Sequence, residues 1–443
     1  MTSPAPAGGN AGRGSALGTG AQTGWGRRRI AVVGSGVAGL TAAYVLQRSA
    51  EVSLYEADAQ LGGHADTHEV VGADGRLRSV DTGFIVHNRR TYPTLLRLFD
   101  ELGVATQQSD MSMSITCAGC GLEYAGGRGV GGLLPSTRVV RNRRYVRMLG
   151  EVVRFHRQAR ALLAGGDDEL TVREFLAAGR FTPYFAAHFM TPLVAAVWST
   201  APSAAGDYPA RYLFAFLQNH GMLSVTGSPT WYTVVGGSAR YVERAAKGLT
   251  AVHTSTPVRE VRRVADGVEV RDDADAVSRF DGVVLATHPQ QALAALSGPT
   301  PAERDVLGAI GYTRNPTLLH TDTSVLPRAD RARASWNYAL PSCTAAPTAV
   351  QVSYDMNRLQ RLDGPDTYVV TLNGDGRVDP SHVIDRMEYE HPVYTTASVA
   401  ARGRLPGLND GVVAFAGAYH GWGFHEDGCR SGLEAAESLG GRW

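Results

Sequence analysis

The chain has 443 residues, too many for one ordinary hydrophobic core, so two domains are expected. Its 43 basic and 42 acidic side chains leave a net charge of +1, which excludes a global attraction to nucleic acid. No stretch offers about 20 uninterrupted apolar residues, so no membrane span is expected, and four cysteines are too few for a disulfide scaffold.

Residues 1–26 are rich in Gly, Ala, Ser, Thr and Pro and are expected to form a disordered tail. The most organised stretch follows, from Arg29 to Glu56. An apolar run, Ile30 to Val33, has the length and composition of a strand. Gly34, Gly36 and Gly39 then stand in the spacing G-x-G-x-x-G, ahead of a helical pattern with Leu40, Ala43, Tyr44 and Leu46 on one face. A second short strand, Val52 to Tyr55, ends in Glu56. Gly34 permits a tight turn, Gly36 lets a pyrophosphate approach the backbone, and Gly39 lets helix pack on strand. Free amides at the helix start favour phosphate. Glu56, about 20 residues after Gly36, is placed for the ribose hydroxyls of an adenosine. Strand, glycines, helix, strand and acid in that order read as a dinucleotide site.

Further along, Leu61-Gly62-Gly63-His64 lets backbone pass close to a cofactor, and Thr82-Gly83-Phe84 repeats that chance at a strand end. Thr67–Val71 and Leu77–Val80 read as a β pair, and Tyr92–Leu102 as a helix. Cys117 and Cys120 form a C-x-x-C, but no second pair has metal-ligand spacing. An ordinary turn is the reading, and no metal site is expected. Arg138 to Leu163 reads as one long amphipathic helix with eight arginines against one acid, Glu151. It is either a solvated face or a surface for anionic lipid headgroups. Thr171 to Leu217 is helical, aromatic and alanine-rich, interrupted by Pro183, Pro192 and Pro202, and suits core or the cap of an apolar cavity.

Trp231–Tyr241 carries a second glycine pair before a helix. A hairpin with Asp266-Gly267 as its turn follows, and then a buried parallel-type strand in Phe280–Thr287. Strand-like runs at Leu318–His320, Trp336–Leu340, Val350–Tyr354 and Tyr368–Leu372 suggest an antiparallel sheet. A last strand, Val412–Ala416, leads into the glycine-rich loop Gly417–Gly428 and a terminal helix.

Together these segments resemble the FAD-dependent amine oxidase and phytoene desaturase superfamily over nearly the whole chain after residue 27. Within it the stretches VDTGFIVHN, GGSARYV, LLHTD, SWNY, YDMNRL, TLN and GAYHGWGFHEDGCRSGL are similar to a bacterial group of predicted NAD/FAD-binding oxidoreductases. Some members of that group resemble fatty-acyl desaturases that act beside enzymes modifying phospholipid chains. The resemblance implies an α/β fold: a Rossmann-like, glutathione-reductase-like FAD domain (27–86, 230–290 and 405–443) with an inserted α+β substrate domain (87–229 and 291–404) carrying an antiparallel sheet. It implies FAD as cofactor. Gly34, Ser35, Gly36, Ala38 and Gly39 would face the pyrophosphate, and Glu56 the ribose. Gly63 and His64 would lie along the diphosphate and ribityl chain, although the superfamily more often has arginine at the place of His64. Thr82, Gly83 and Phe84 would approach the flavin ring, Val258 the adenine, and His425, Glu426, Asp427 and Gly428 the N1/C2 side of the flavin.

A helix start aimed at that edge stabilises the charge of reduced flavin. Glu426 and Asp427 oppose it, and are expected to point elsewhere as caps or holders of ribityl hydroxyls. Tyr419, His425 and Glu426 are the candidates for proton transfer. Dehydrogenation of an apolar carbon chain and oxidation of a carbon–nitrogen bond compete. A binding protein without turnover, an isomerase and an NAD-only dehydrogenase stand behind them. A cytoplasmic location is expected, with the arginine-rich helix as a route to the inner membrane face.

Overall fold

The computed structural model describes residues 27–165, 169–224, 227–344 and 347–443. The expected tail, 1–26, lies outside the described residues. At the centre is a five-stranded, all-parallel sheet. In spatial order its strands are Ala251–His253, Ala50–Tyr55, Arg28–Val33, Gly282–Leu285 and Val413–Phe415. The three inner strands read Val, Ile and Leu because both faces are covered; Ile30, Val32, Leu54, Val284 and Leu285 are fully buried.

The first helix, Val37–Leu46, lies on one face of this sheet. Its expected one-sided apolar pattern does not hold: every residue but Tyr44 is buried. The reason is the last helix, His425–Ser438, which covers the outer side of the first. Two glycines allow that approach. A Cβ on Gly432 would run into the Ala38 carbonyl, and one on Gly428 would meet Val37 Cγ1 at 2.7 Å. Cys429 Sγ sits 3.3 Å from the Thr41 hydroxyl in the same seam.

A three-stranded antiparallel sheet, Val258–Val264, Gly267–Asp272 and Val277–Phe280, lies beside the parallel one. Val264 pairs with Gly267, so the turn residues are Ala265 and Asp266, one position earlier than the sequence suggested. The remaining large sheet has seven strands, in order Val383–Val393, Gly311–His320, Val369–Leu372, Val352–Asp355, Trp336–Leu340, Met113–Cys117 and Leu122–Gly126. It is antiparallel except where Trp336–Leu340 runs parallel to Met113–Cys117. Sequence reading missed the strand Val383–Val393, a polar edge, and saw only the apolar end of Gly311–His320.

A helical cap closes this sheet on one side. It consists of Val172–Ala178, Pro183–Phe185, a π-helical turn Ala186–Met190, Thr191–Trp198 and Ala210–Asn219. The arginine-rich segment outside it is two helices, Thr137–Arg141 and Arg143–Gly165. Asn142 interrupts it in an extended conformation, and its Oδ1 accepts from the amides of Arg144 and Tyr145 as an N-cap. Phe155 of the long helix stands among Phe175, Phe181, Phe185 and Phe214 of the cap.

Replacing Gly432 by Val should lower unfolding stability by about 1–3 kcal/mol, because the seam between first and last helices cannot accept a side chain. Chemical denaturation, followed by far-UV circular dichroism, measures it; a variant as stable as the parent would contradict this packing.

Candidate functional site

The C-terminal ends of the parallel strands open onto a cavity of about 320 Å³ lined from both ends of the chain. At one end is the glycine loop. Gly34 has φ +97°, a conformation that favours glycine, and a Cβ on Gly39 would run into the Gly34 carbonyl. Gly36 faces open space. The helix it begins has neither a side-chain cap nor an acid in its first turn. Its first residues, Val37 and Ala38, line the cavity. Gly63, at φ +56°, lies against Gly36. Ser35 does not point at the cavity: its amide (2.8 Å) and hydroxyl (2.5 Å) both donate to Glu56 Oε2. Glu56 Oε1 accepts from the Asp58 amide, and the Glu56 carbonyl accepts from Thr256. Val258, half-buried, begins the next strand just beyond and packs against the hydrophobic cluster that contains Tyr55.

In the middle, two backbone segments are zipped together. The Phe84 amide donates to the His64 carbonyl (2.6 Å) and the Thr82 amide to that of Asp66 (2.9 Å). Gly83 has no room for a Cβ beside the His64 carbonyl. Thr82 shares a hydrogen bond with the Tyr389 hydroxyl (2.6 Å), which itself donates to Asp66 (2.6 Å). His64 stands close to Tyr389 and His391, and burial pushes its pKa down to about 4. Phe84 stacks on His425 with ring centroids 3.7 Å apart. His425 Nε2 is 3.1 Å from the Tyr241 hydroxyl, and burial holds the imidazole neutral.

From the C-terminal loop, Gly417, Ala418, Tyr419, Gly423, Phe424 and His425 reach the cavity; Glu426, Asp427 and Gly428 do not line it. Glu426 accepts from the amides of Thr94 and Leu95, both at 3.0 Å, at the start of the helix Pro93–Leu102. Asp427 accepts from the amides of Trp422 and Phe424 and lies 3.3 Å from Arg430. Both carboxylates are therefore turned away from the cavity. Tyr419 is buried, and its hydroxyl finds no partner among the described residues; the same holds for Trp336 Nε1, also on the cavity wall. Open glycine backbone, uncapped helix amides and two orphaned donors fit a large polar cofactor with an aromatic head.

Sequence reading did not single out the far wall. Leu193, Val197, Trp198, Phe216, Met222 and Trp231 make it apolar; only the aromatic and alanine content of 171–217 hinted at it. It also missed His288, Glu390 and His391. His288 Nδ1 donates to Glu390 at 2.8 Å, and Arg314 reaches the other oxygen of the same carboxylate at 3.1 Å.

Residues 37–319 match the family described as flavin containing amine oxidoreductase. No curated protein matches the chain. Among solved structures, putrescine oxidase bound to putrescine has a TM-score of 0.67 at 15% identity, covering 93% of this chain and 98% of that one. Cyclohexylamine oxidase from Brevibacterium oxydans has a TM-score of 0.66 at 16% identity, over 94% and 99%. A CLA-producing fatty acid isomerase from P. acnes has a TM-score of 0.64 at 15% identity, over 91% and 97%. At such identities the likeness establishes the fold, which is the FAD-binding amine oxidase fold.

Glu56→Ala should weaken FAD binding about 10–100-fold, the loss of charged hydrogen bonds at the adenosine end; fluorescence titration of apoprotein measures it. A second expectation concerns pH. His64, His87 and His220 each have a pKa lowered to about 4 by burial. The unfolded chain binds more protons than the folded one between that value and about 6.5. Stability should therefore be flat above about pH 7 and fall as pH drops from about 6.5 towards 4. Thermal melts across that range check the sign.

Proposed function

The chain belongs to the flavin containing amine oxidoreductase family and is an FAD-dependent oxidoreductase, and we propose that it takes a hydride from a hydrophobic substrate, dehydrogenating a carbon–carbon bond of an acyl or similar chain. The observation that carries this reading is the apolar far wall of the cavity. An amine substrate arrives as a cation and calls for an acid. The one carboxylate side chain among the described lining residues, Glu390, is already shared by His288 and Arg314. The only lysine of the chain, Lys247, is exposed at the end of the helix Ala239–Ala246 and does not line the cavity.

When bound, FAD supplies a hydride acceptor. The chain's own groups do the rest. The amides at the start of Val37–Leu46 would hold the diphosphate, and Glu56 would take the ribose hydroxyls. Gly63, His64, Thr82, Gly83 and Phe84 would border the ribityl and ring region, with Val258 near the adenine. The start of the last helix would face the ring, since Glu426 and Asp427 spend their charge on other amides. In this reading Glu426 is a cap and not an acid–base group. Tyr419, whose pKa burial raises, stays a neutral donor.

Loss of a hydride from carbon must be matched by loss of a proton. His288 is the acceptor we favour: Nδ1 donates to Glu390, which leaves Nε2 with a lone pair. The product is an alkene, and an external two-electron acceptor must reoxidise the cofactor. The rings of Phe424, Phe216 and Trp231 around the cavity favour amine oxidation as the second reading, since they can face a cation.

The same reading gives the outer helices a task. Val130, Val140, Val146 and Val153 are exposed by 73%, 52%, 49% and 61%. Exposed Arg138, Arg141, Arg143, Arg144, Arg147 and Arg157 share Thr137–Arg141 and Arg143–Gly165 with Val140, Val146 and Val153. Apolar side chains set among cations suit an anionic bilayer surface, the source of a lipid-borne substrate. No helix among the described residues is long and apolar enough to cross a membrane.

Anaerobic mixing with phospholipid-linked or free acyl chains should bleach the flavin; bleaching by amines alone would remove the desaturase reading. His288→Gln should keep the flavin spectrum and slow bleaching by about 10²–10⁴. Leu193→Asp should raise the KM for an acyl substrate by at least about 10-fold while FAD content holds.

A further inference from the structure

The expectation of no metal rested on the absence of a partner for the Cys117/Cys120 pair in sequence. Space supplies two. Cys117 ends the strand Met113–Cys117, and Cys120 follows in a tight turn closed by the Gly121 amide on the Cys117 carbonyl (2.8 Å). Gly121 takes a left-handed φ of +65° there. The neighbouring strand Trp336–Leu340 pairs Leu340 with Cys117, and three residues later brings in Cys343. His188 comes down from the cap above.

The three sulfurs and one imidazole nitrogen all lie within 4.8 Å of one another. Cys117 Sγ is 3.8 Å from Cys343 Sγ, and Cys120 Sγ is 3.7 Å from His188 Nε2. An ion with Zn–S of about 2.3 Å and Zn–N of about 2.0–2.1 Å in tetrahedral geometry sets S···S near 3.8 Å and S···N near 3.6 Å. These two separations match that polyhedron, and the other ligand atoms lie within 4.8 Å of one another. The S···S separation is also far longer than the roughly 2.05 Å of a disulfide bond.

Two outer contacts support the same reading. His188 Nδ1 lies 3.1 Å from the Tyr184 carbonyl, the bond that leaves Nε2 free to ligate. Tyr184 stacks on the imidazole at 3.9 Å, and its hydroxyl lies 3.6 Å from Cys120 Sγ. The π-helical turn Ala186–Met190 holds His188, with the Thr191 amide bonded to the Ala186 carbonyl. Such turns re-aim side chains at the expense of regular helix.

We propose that Cys117, Cys120, Cys343 and His188 hold one zinc ion in a closed, structural Cys3His site. All four positions of the tetrahedron are protein ligands, so no place is left for substrate or water. None of the four residues lines the cofactor cavity. The site ties the seven-stranded sheet to the cap just before Thr191–Trp198, the helix that supplies Leu193, Ala196, Val197 and Trp198 to the cavity wall. It therefore fixes the distance between the roof of the substrate space and its floor.

The test is metal analysis of the full-length holoenzyme, purified under reducing conditions without chelator. About one zinc per chain is expected, independent of FAD content. Cobalt exchanged into the wild-type protein should give the intense visible bands of a tetrahedral thiolate site, at longer wavelength than the flavin. Cys120→Ser and His188→Gln should each weaken zinc binding at least about 100-fold and lower the thermal midpoint, with the flavin spectrum retained. Wild-type protein lacking stoichiometric zinc after zinc-supplemented expression would overturn the proposal, whatever the variants do. So would zinc that persists in both variants, or thiol titration that finds Cys117 and Cys343 joined as a disulfide.

Discussion

The contact between the first and last helices governs this molecule. Val37–Leu46 begins at the glycine loop, and His425–Ser438 begins at the opposite side of the same cavity. Their axes come close because Gly428 and Gly432 present bare backbone to Val37 and Ala38. Two helix starts, each with unpaired amides and a partial positive charge, are thereby fixed at one cavity. That placement suits a diphosphate at one and an electron-rich ring at the other. Hydrophobic burial in the parallel sheet stabilises the frame, but the glycines set its geometry.

Electrostatics around the cavity follow from the same closeness. Acids near a helix start would cancel its field, and this chain carries two in the last helix. Both are diverted: Glu426 onto the start of Pro93–Leu102, Asp427 onto its own entry loop. The histidines on the wall are kept neutral by burial, His64 and His391 well below the ordinary imidazole value. The result is a space bordered by dipoles and neutral rings, with one carboxylate, Glu390, already engaged by His288 and Arg314.

What sequence could show was what is local. The strand, glycine turn, helix and acid of residues 29–56 are consecutive, and each has a steric reason that needs no distant partner. The hairpin before Gly267 and the buried strand Gly282–Leu285 were legible for the same cause. The one-sided pattern read into the first helix missed the cover supplied by a segment almost 400 residues away. The strand Val383–Val393 carries Asp385, Arg386, Glu388 and Glu390 because it is an edge, and its apolar signal is too weak to be seen. His288 and Glu390 meet only through a fold, as do Cys117 and His188; no spacing rule joins them. Asn142 shows the converse: an asparagine inside a helical pattern was a cap signal that periodicity concealed.

The seam between the two ends also constrains how the protein is made. Val413–Phe415 completes the parallel sheet, and Gly432 seats on Ala38, only once residues 413–432 have been synthesised. At about 5–20 residues per second the N-terminal strand and its loop wait some tens of seconds for that closure. During synthesis the nascent chain exposes an unfinished edge, Gly282–Leu285, with a high entropic cost to the long-range pairing that will cover it. The cavity between the two helix starts is therefore completed late, when the last helix docks on the first.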